Sequence, residues 1–138
     1  MILVIHAAAT WFMVGLIWTI QVVHYPLFQR VDANSFRSYE AGHTRRMGML
    51  LLFPASLEVV TAGALVWVAP SGVPMVLVLA GGALLAAIWI TTALVQFPLH
   101  RRLGAGHDAP TIRRLISTNW YRTVAWTARG GFAALLIA

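Results

Sequence analysis

Four stretches of this chain run for 20 residues or more almost without charge, and together they cover most of its 138 residues. They are 2–23, 47–69, 73–97 and 119–138, and only Glu58, Arg122 and Arg129 bring a charge into them. At 1.5 Å per helical residue, each can cross a hydrocarbon core of about 30 Å. A soluble domain carries about 25% charged residues, because its surface faces water. Here the fraction is 10%. The expectation is all-α: one integral transmembrane domain over 1–138, folded as a four-helix bundle. The first stretch follows Met1 directly, with no basic head and no small-residue cleavage motif. It is therefore expected to be a retained span rather than a removed signal peptide.

The charge is gathered between the stretches. The first connection holds Arg30, Arg37, Arg45 and Arg46; the third holds or borders Arg101, Arg102, Arg113, Arg114 and Arg122. The second, Ala69 to Pro74, is an uncharged turn. Short arginine-rich loops stay in the cytoplasm. The sequence thus predicts a multi-pass protein of the inner (plasma) membrane with both termini on the non-cytoplasmic side. A net charge of +6 on an apolar chain implies contact with anionic lipid headgroups and not with nucleic acid. The absence of cysteine excludes disulfides, thiolate nucleophiles, iron–sulfur clusters and thioether-linked haem.

The chain repeats itself. Val22-Val23-His24-Tyr25-Pro26-Leu27-Phe28-Gln29-Arg30-Val31 answers Leu94-Val95-Gln96-Phe97-Pro98-Leu99-His100-Arg101-Arg102-Leu103. Ser35-Phe36-Arg37 answers Thr111-Ile112-Arg113, and Gly42-His43-Thr44-Arg45-Arg46 answers Thr118-Asn119-Trp120-Tyr121-Arg122. Each unit reads as a helix, a proline break, a basic amphipathic stretch and a second helix. Two spans per unit restore the starting orientation, so two parallel two-helix repeats are expected.

Polar residues recur at helical spacing within the stretches. His6, Thr10, Gln21 and His24 mark the first; His43, Glu58 and Thr61 the second; Trp89, Thr92, Gln96 and His100 the third. Asn119, Arg122, Trp126 and Arg129 mark the fourth. Lipid cannot satisfy such groups, so they should converge on the bundle interior. Thr10, Thr61 and Thr92 read as bonds between neighbouring helices. His24 and Gln96 read either as site residues or as caps of proline-broken helices. Glu58 and Arg129 lie deepest, and either pair with each other or hold a ligand. The histidines at span ends admit b-type haem, with His6 the first candidate axial ligand. No two histidines stand at i, i+3 or i, i+4, so no metal centre is expected; His107 reads as a loop residue.

The segments Tyr25-Pro26-Leu27, Pro54, Pro98-Leu99-x-x-Arg102-Leu103 and Asn119-x-x-Arg122-Thr123 resemble the anthrone-oxygenase-like family of small four-helix membrane proteins. That resemblance implies oxygenation of polycyclic aromatic anthrones without metal or added cofactor. Separately, His6-x4-Trp11-Phe12-x2-Gly15-Leu16 resembles the first helix of the haem-binding, four-helix type of protoporphyrinogen oxidase, in which this histidine is a haem ligand. That family's Asn-Glu-x-Pro-Thr motif is replaced here by Asn119-Trp120-Tyr121-Arg122-Thr123.

The functional expectation is a membrane oxidoreductase or oxygenase acting on a small hydrophobic molecule, aromatic or quinone-like, with no cofactor or with haem b. His24, Glu58, Asn119 and Arg122 form the expected catalytic set. Gln21, His43, Arg46, Gln96, Trp126 and Arg129 are the expected substrate contacts. The alternative is a non-catalytic or haem-bearing subunit that anchors a larger membrane complex, or a homo-oligomer, with the same polar groups serving assembly.

Overall fold

The structure is a computed structural model that describes residues 1–68 and 71–138. Ala69 and Pro70, where the second expected span ends and the uncharged turn begins, lie outside the described residues. The chain is all-helical, with no strand among the described residues. Four long helices follow one another: α1 (Ile2–Arg30), α2 (Ala33–Val68), α3 (Met75–Leu103) and α4 (Ala109–Leu135). The first three are long and apolar enough to cross a membrane. The fourth has the length, but its arginines and polar residues lower its hydropathy.

The helices are longer than the apolar stretches that nucleate them, because the prolines do not break them. Pro26 and Pro98 each lack an N–H, and each ring crowds the carbonyl four residues back. The chain answers both with one wide turn, a π-helical segment at Ile20–His24 and another at Thr92–Gln96. The Tyr25 N–H closes on the Ile20 carbonyl, and the Phe97 N–H on that of Thr92. Such single-turn bulges favour functional regions. In α2 the amphipathic stretch 33–46 joins the apolar stretch without interruption, giving 36 residues, ~54 Å at 1.5 Å per residue. That exceeds a bilayer core, so one end of α2 projects with its arginines.

The connection from α3 to α4 is set by local chemistry. Gly106 takes φ +149, a conformation that side chains disfavour. Asp108 then caps α4 by accepting the Thr111 N–H at 3.2 Å, with Pro110 in the first turn.

Packing places α1 and α4 side by side at the centre, α2 against α1 and α3 against α4. The central pair approaches closely at Gly130, where a Cβ would meet a Val14 methyl at 3.1 Å and the Trp11 ring at 3.4 Å. Phe28, Phe36, Leu103, Ile112 and Leu115 fill one end of the bundle, beside the arginine-rich connections. Met13, Ile17, Ile88 and Trp126 fill the middle. The exterior is apolar, with Leu52, Phe53, Trp67, Val76 and Leu94 all exposed, whereas Gln21, Glu40, Glu58, Gln96, Asn119, Arg122 and Arg129 are buried. Hydrophobic outside and polar inside is the arrangement that a lipid surround favours.

Candidate functional site

α2 and α3 share less contact than the other neighbours, and between them lies a cleft of about 550 Å³. Its side walls are apolar, from Met47, Leu51, Ala55 and Val59 of α2 and Phe97 of α3, and it opens at the bundle surface. Its floor is polar, from Tyr25, His43, Trp89, Gln96, His100, Arg122 and Trp126. A volume of this size suits a drug-sized or cofactor-sized molecule, and a few polar groups on apolar walls are the usual makeup of such sites.

Three buried polar atoms on cleft-lining residues lack a partner: Nε1 of Trp89, Oε1 of Gln96 and Nε of Arg122. Leaving such groups unmade costs about 1–3 kcal/mol each, so three side chains of the lining carry unmet hydrogen-bonding capacity beside the cleft. Other atoms of Gln96 and Arg122 are held. Arg122 donates from Nη1 to Oδ1 of Asn119 at 2.9 Å, and Asn119 donates to Oε1 of Gln21 at 2.8 Å. Gln21 in turn donates to the Ile116 carbonyl at 3.2 Å. Gln96 donates to the Thr118 hydroxyl at 3.1 Å. The Arg122 guanidinium lies 5.3 Å from the centre of the Trp126 ring, a cation–π contact. Arg122 is thus braced by Asn119 of α4 and, through it, by Gln21 of α1, with its Nε–H unpartnered.

From the floor a second chain of bonds runs inward. The Tyr25 hydroxyl is 2.9 Å from Nε2 of His100, and Nδ1 of His100 is 2.6 Å from Oε1 of Glu40. Glu40 is buried and keeps Oε2 unpartnered. A neutral His100 that donates from Nδ1 to the carboxylate accepts the tyrosine O–H at Nε2. Such a phenol–imidazole–carboxylate series can carry a proton away from the cleft. Beside it, Nε2 of His24 lies 2.7 Å from Nδ1 of His43, whose ring stacks on that of His100 at 5.2 Å.

A separate polar layer lies nearer the chain termini. Arg129 donates from Nε to Oε1 of Glu58 at 3.1 Å, with Nη2 also 3.1 Å from that oxygen, and from Nη1 to the Gly81 carbonyl. The other Glu58 oxygen accepts the Trp126 indole N–H at 3.2 Å. His6 belongs to this layer. The Thr61 hydroxyl donates to the Leu57 carbonyl at 2.7 Å and therefore accepts from Nδ1 of His6 at 2.8 Å. That leaves Nε2 of His6 to accept from Arg129 at 3.4 Å.

The expected site thus divides. His43, Gln96, Arg122 and Trp126 line the cleft; Asn119 and Gln21 brace Arg122 from behind; His24 braces His43. Glu58 and Arg129 do not line it, and both carboxylate oxygens and all three guanidinium nitrogens already have protein partners. Of the two readings the sequence left open for them, pairing with each other or holding a ligand, the structure shows the pair. Arg46 is exposed and does not line the cleft. Haem b at His6 does not fit: both ring nitrogens are engaged, and the adjoining space is about 10 Å³, no more than one water needs.

Tyr25, Glu40, Trp89 and His100 complete the site, and the sequence reading did not assign them to it. Glu40-x-x-His43, an i, i+3 pair on one helix face, was the available signal. It pairs a carboxylate with a histidine, so the spacing between histidines does not reveal it. Compared with protein-family models, with curated proteins and with solved structures, this chain matches none.

Proposed function

We propose that this protein crosses the bilayer four times, with its termini on the non-cytoplasmic side, and oxygenates a lipophilic aromatic or quinone-like molecule in the cleft between α2 and α3. One observation carries this reading: the apolar cleft, open at a surface that itself suits lipid, is lined by three side chains with unpartnered polar atoms and by Tyr25 and His100, which lead on to Glu40. A molecule dissolved in the membrane reaches such a cleft sideways, without crossing water.

The chemistry follows from the donors. A ring carbonyl oxygen accepts from Nε of Arg122 and the Trp89 indole, while a neighbouring phenol hydroxyl gives its hydrogen bond to Oε1 of Gln96. When a ring methylene conjugated with that carbonyl loses a proton, negative charge grows on the carbonyl oxygen, where the guanidinium stabilises it. Tyr25 takes the proton and passes its own to His100. The resulting electron-rich carbon reduces dioxygen, and a carbon–oxygen bond forms to give a hydroperoxide. Loss of water leaves a carbonyl. The sum, methylene plus dioxygen to carbonyl plus water, balances without an external reductant, in keeping with the resemblance to anthrone oxygenases.

The duplication belongs to the same proposal. The two π turns stand 72 residues apart, each directly before an aromatic-Pro-Leu segment, the offset of the first repeat block. Two copies of one helix pair would place His24 opposite Gln96 and His43 opposite Asn119. The test of function is oxygen uptake by protein in nanodiscs supplied with an anthrone. Uptake that needs both anthrone and Arg122 supports the reading; anthrone that neither binds nor reacts removes it.

A further inference from the structure

A cluster at the inner end of the cleft, one buried carboxylate and two half-buried imidazoles, has the makings of a metal centre. Glu40, His43 and His100 each offer one ligand atom, and these atoms all lie within 4.8 Å of one another. Ligand atoms around one ion with bonds of ~2.1 Å stand ~3–4 Å apart, so small side-chain rotations close the set. Two independent observations point the same way. Oε2 of Glu40 is buried without a partner, on a residue that is 1% exposed. Each imidazole also has its other nitrogen occupied. Nδ1 of His43 is held at 2.7 Å by His24, which leaves Nε2 for an ion, and Nε2 of His100 is held at 2.9 Å by Tyr25, which leaves Nδ1. Histidine ligands are usually oriented in this way, by a partner on the nitrogen away from the metal.

We propose that Glu40, His43 and His100 bind one divalent first-row transition-metal ion, with iron(II) the best match, at the inner end of the cleft. Two imidazoles and one carboxylate with coordination positions left open form the ligand set typical of non-haem iron(II). His43 and His100 line the cleft, so those positions face the space that the lipophilic molecule would fill. Calcium and magnesium prefer oxygen ligands, and no thiolate is present to favour a softer ion.

The ion and the proton now shared by His100 and Glu40 exclude each other. With the ion bound, Nδ1 of His100 gives its lone pair to the metal, the ring proton moves to Nε2, and the Tyr25 oxygen accepts it. The same cluster is therefore either a proton relay or a metal centre. The metal site stands on its own ligand geometry and does not depend on the proposed reaction.

The experiment is a titration of detergent-purified protein, stripped with EDTA and carrying no polyhistidine tag, with cobalt(II) as a spectroscopic probe and with iron(II) under nitrogen. The expected result is one equivalent bound per chain, with visible cobalt bands of nitrogen and oxygen ligation. Glu40→Gln, His43→Ala and His100→Ala should abolish saturable binding. His24→Ala and Tyr25→Phe should weaken it ~10–100-fold, the usual cost of losing an orienting partner. His107→Ala should leave it unchanged. Circular dichroism and gel filtration identify variants that fold, and the wild-type cobalt spectrum reports ligand type without any variant. Absence of saturable binding to wild type, bands of a water-only coordination shell, or binding that survives in folded His43→Ala would each overturn the metal site. The cleft and its relay would then stand without it.

Discussion

Arg129 and Glu58 meet at 3.1 Å inside the bundle, 71 residues apart in sequence, at 2% and 0% side-chain exposure. Neither could stay ionised alone in such a place without a large desolvation penalty, and every remaining polar atom of the pair is also bonded. Removing one partner strands the other, which costs about 3–5 kcal/mol. Glu58→Gln and Arg129→Gln should each lower the thermal midpoint in detergent sharply. The double variant should recover much of the loss, because two amides can bond each other. Additive losses in the double variant would show that the two residues do not act as a pair.

Arg122 differs from Arg129 in keeping its Nε–H unpartnered, on a side chain that lines the cleft. Removal of a single donor that stabilises developing negative charge costs about 10²–10³ in rate. Arg122→Gln should lower anthrone-dependent oxygen uptake by that factor while the helical content is kept. Asn119→Ala should lower it less, since Asn119 only braces the guanidinium. Equal activity in wild type and Arg122→Gln would separate this arginine from the chemistry.

Access to the cleft is also testable by filling it. Ala55 and Ser56 line its wall on α2. An indole at Ser56 takes up the space while leaving the polar floor untouched. Ser56→Trp should abolish binding of a fluorescent anthrone or quinone analogue, with little effect on the thermal midpoint. Unchanged binding would place the ligand elsewhere.

Gly130 tests the packing of the central pair. A Cβ there would stand 3.1 Å from a Val14 methyl and 3.4 Å from the Trp11 ring. Gly130→Val adds two further methyl groups into that contact and should destabilise by about 1–3 kcal/mol, the usual cost of overpacking. A midpoint at the wild-type value would mean that α1 and α4 can part without loss.

Topology follows from charge and is checked by labelling. Ser38 is exposed on the projecting end of α2, among the arginines. The cysteine introduced by Ser38→Cys should react with an impermeant maleimide only after the cytoplasmic face is opened. Labelling in intact cells would reverse the orientation.

The sequence by itself determined the helices and their company. Charge-free stretches of 20 residues or more dictate helix, since a buried backbone must bond within its own segment. The same stretches showed which polar residues turn inward. The sequence did not show that the helices continue through Pro26 and Pro98, because a π turn is a backbone adjustment with no residue signature of its own. Nor did it separate the two polar layers. Arg122, Trp126 and Arg129 share one inward face of α4 at helical spacing, with Glu58 facing inward from α2, and spacing cannot tell a satisfied atom from an unsatisfied one. Only the tertiary structure spent both oxygens of Glu58 on Trp126 and Arg129, left Nε of Arg122 free, and brought Glu40 to His100 across 60 residues. Those pairings depend on where α1, α2, α3 and α4 meet in space, which a single chain's local pattern does not encode.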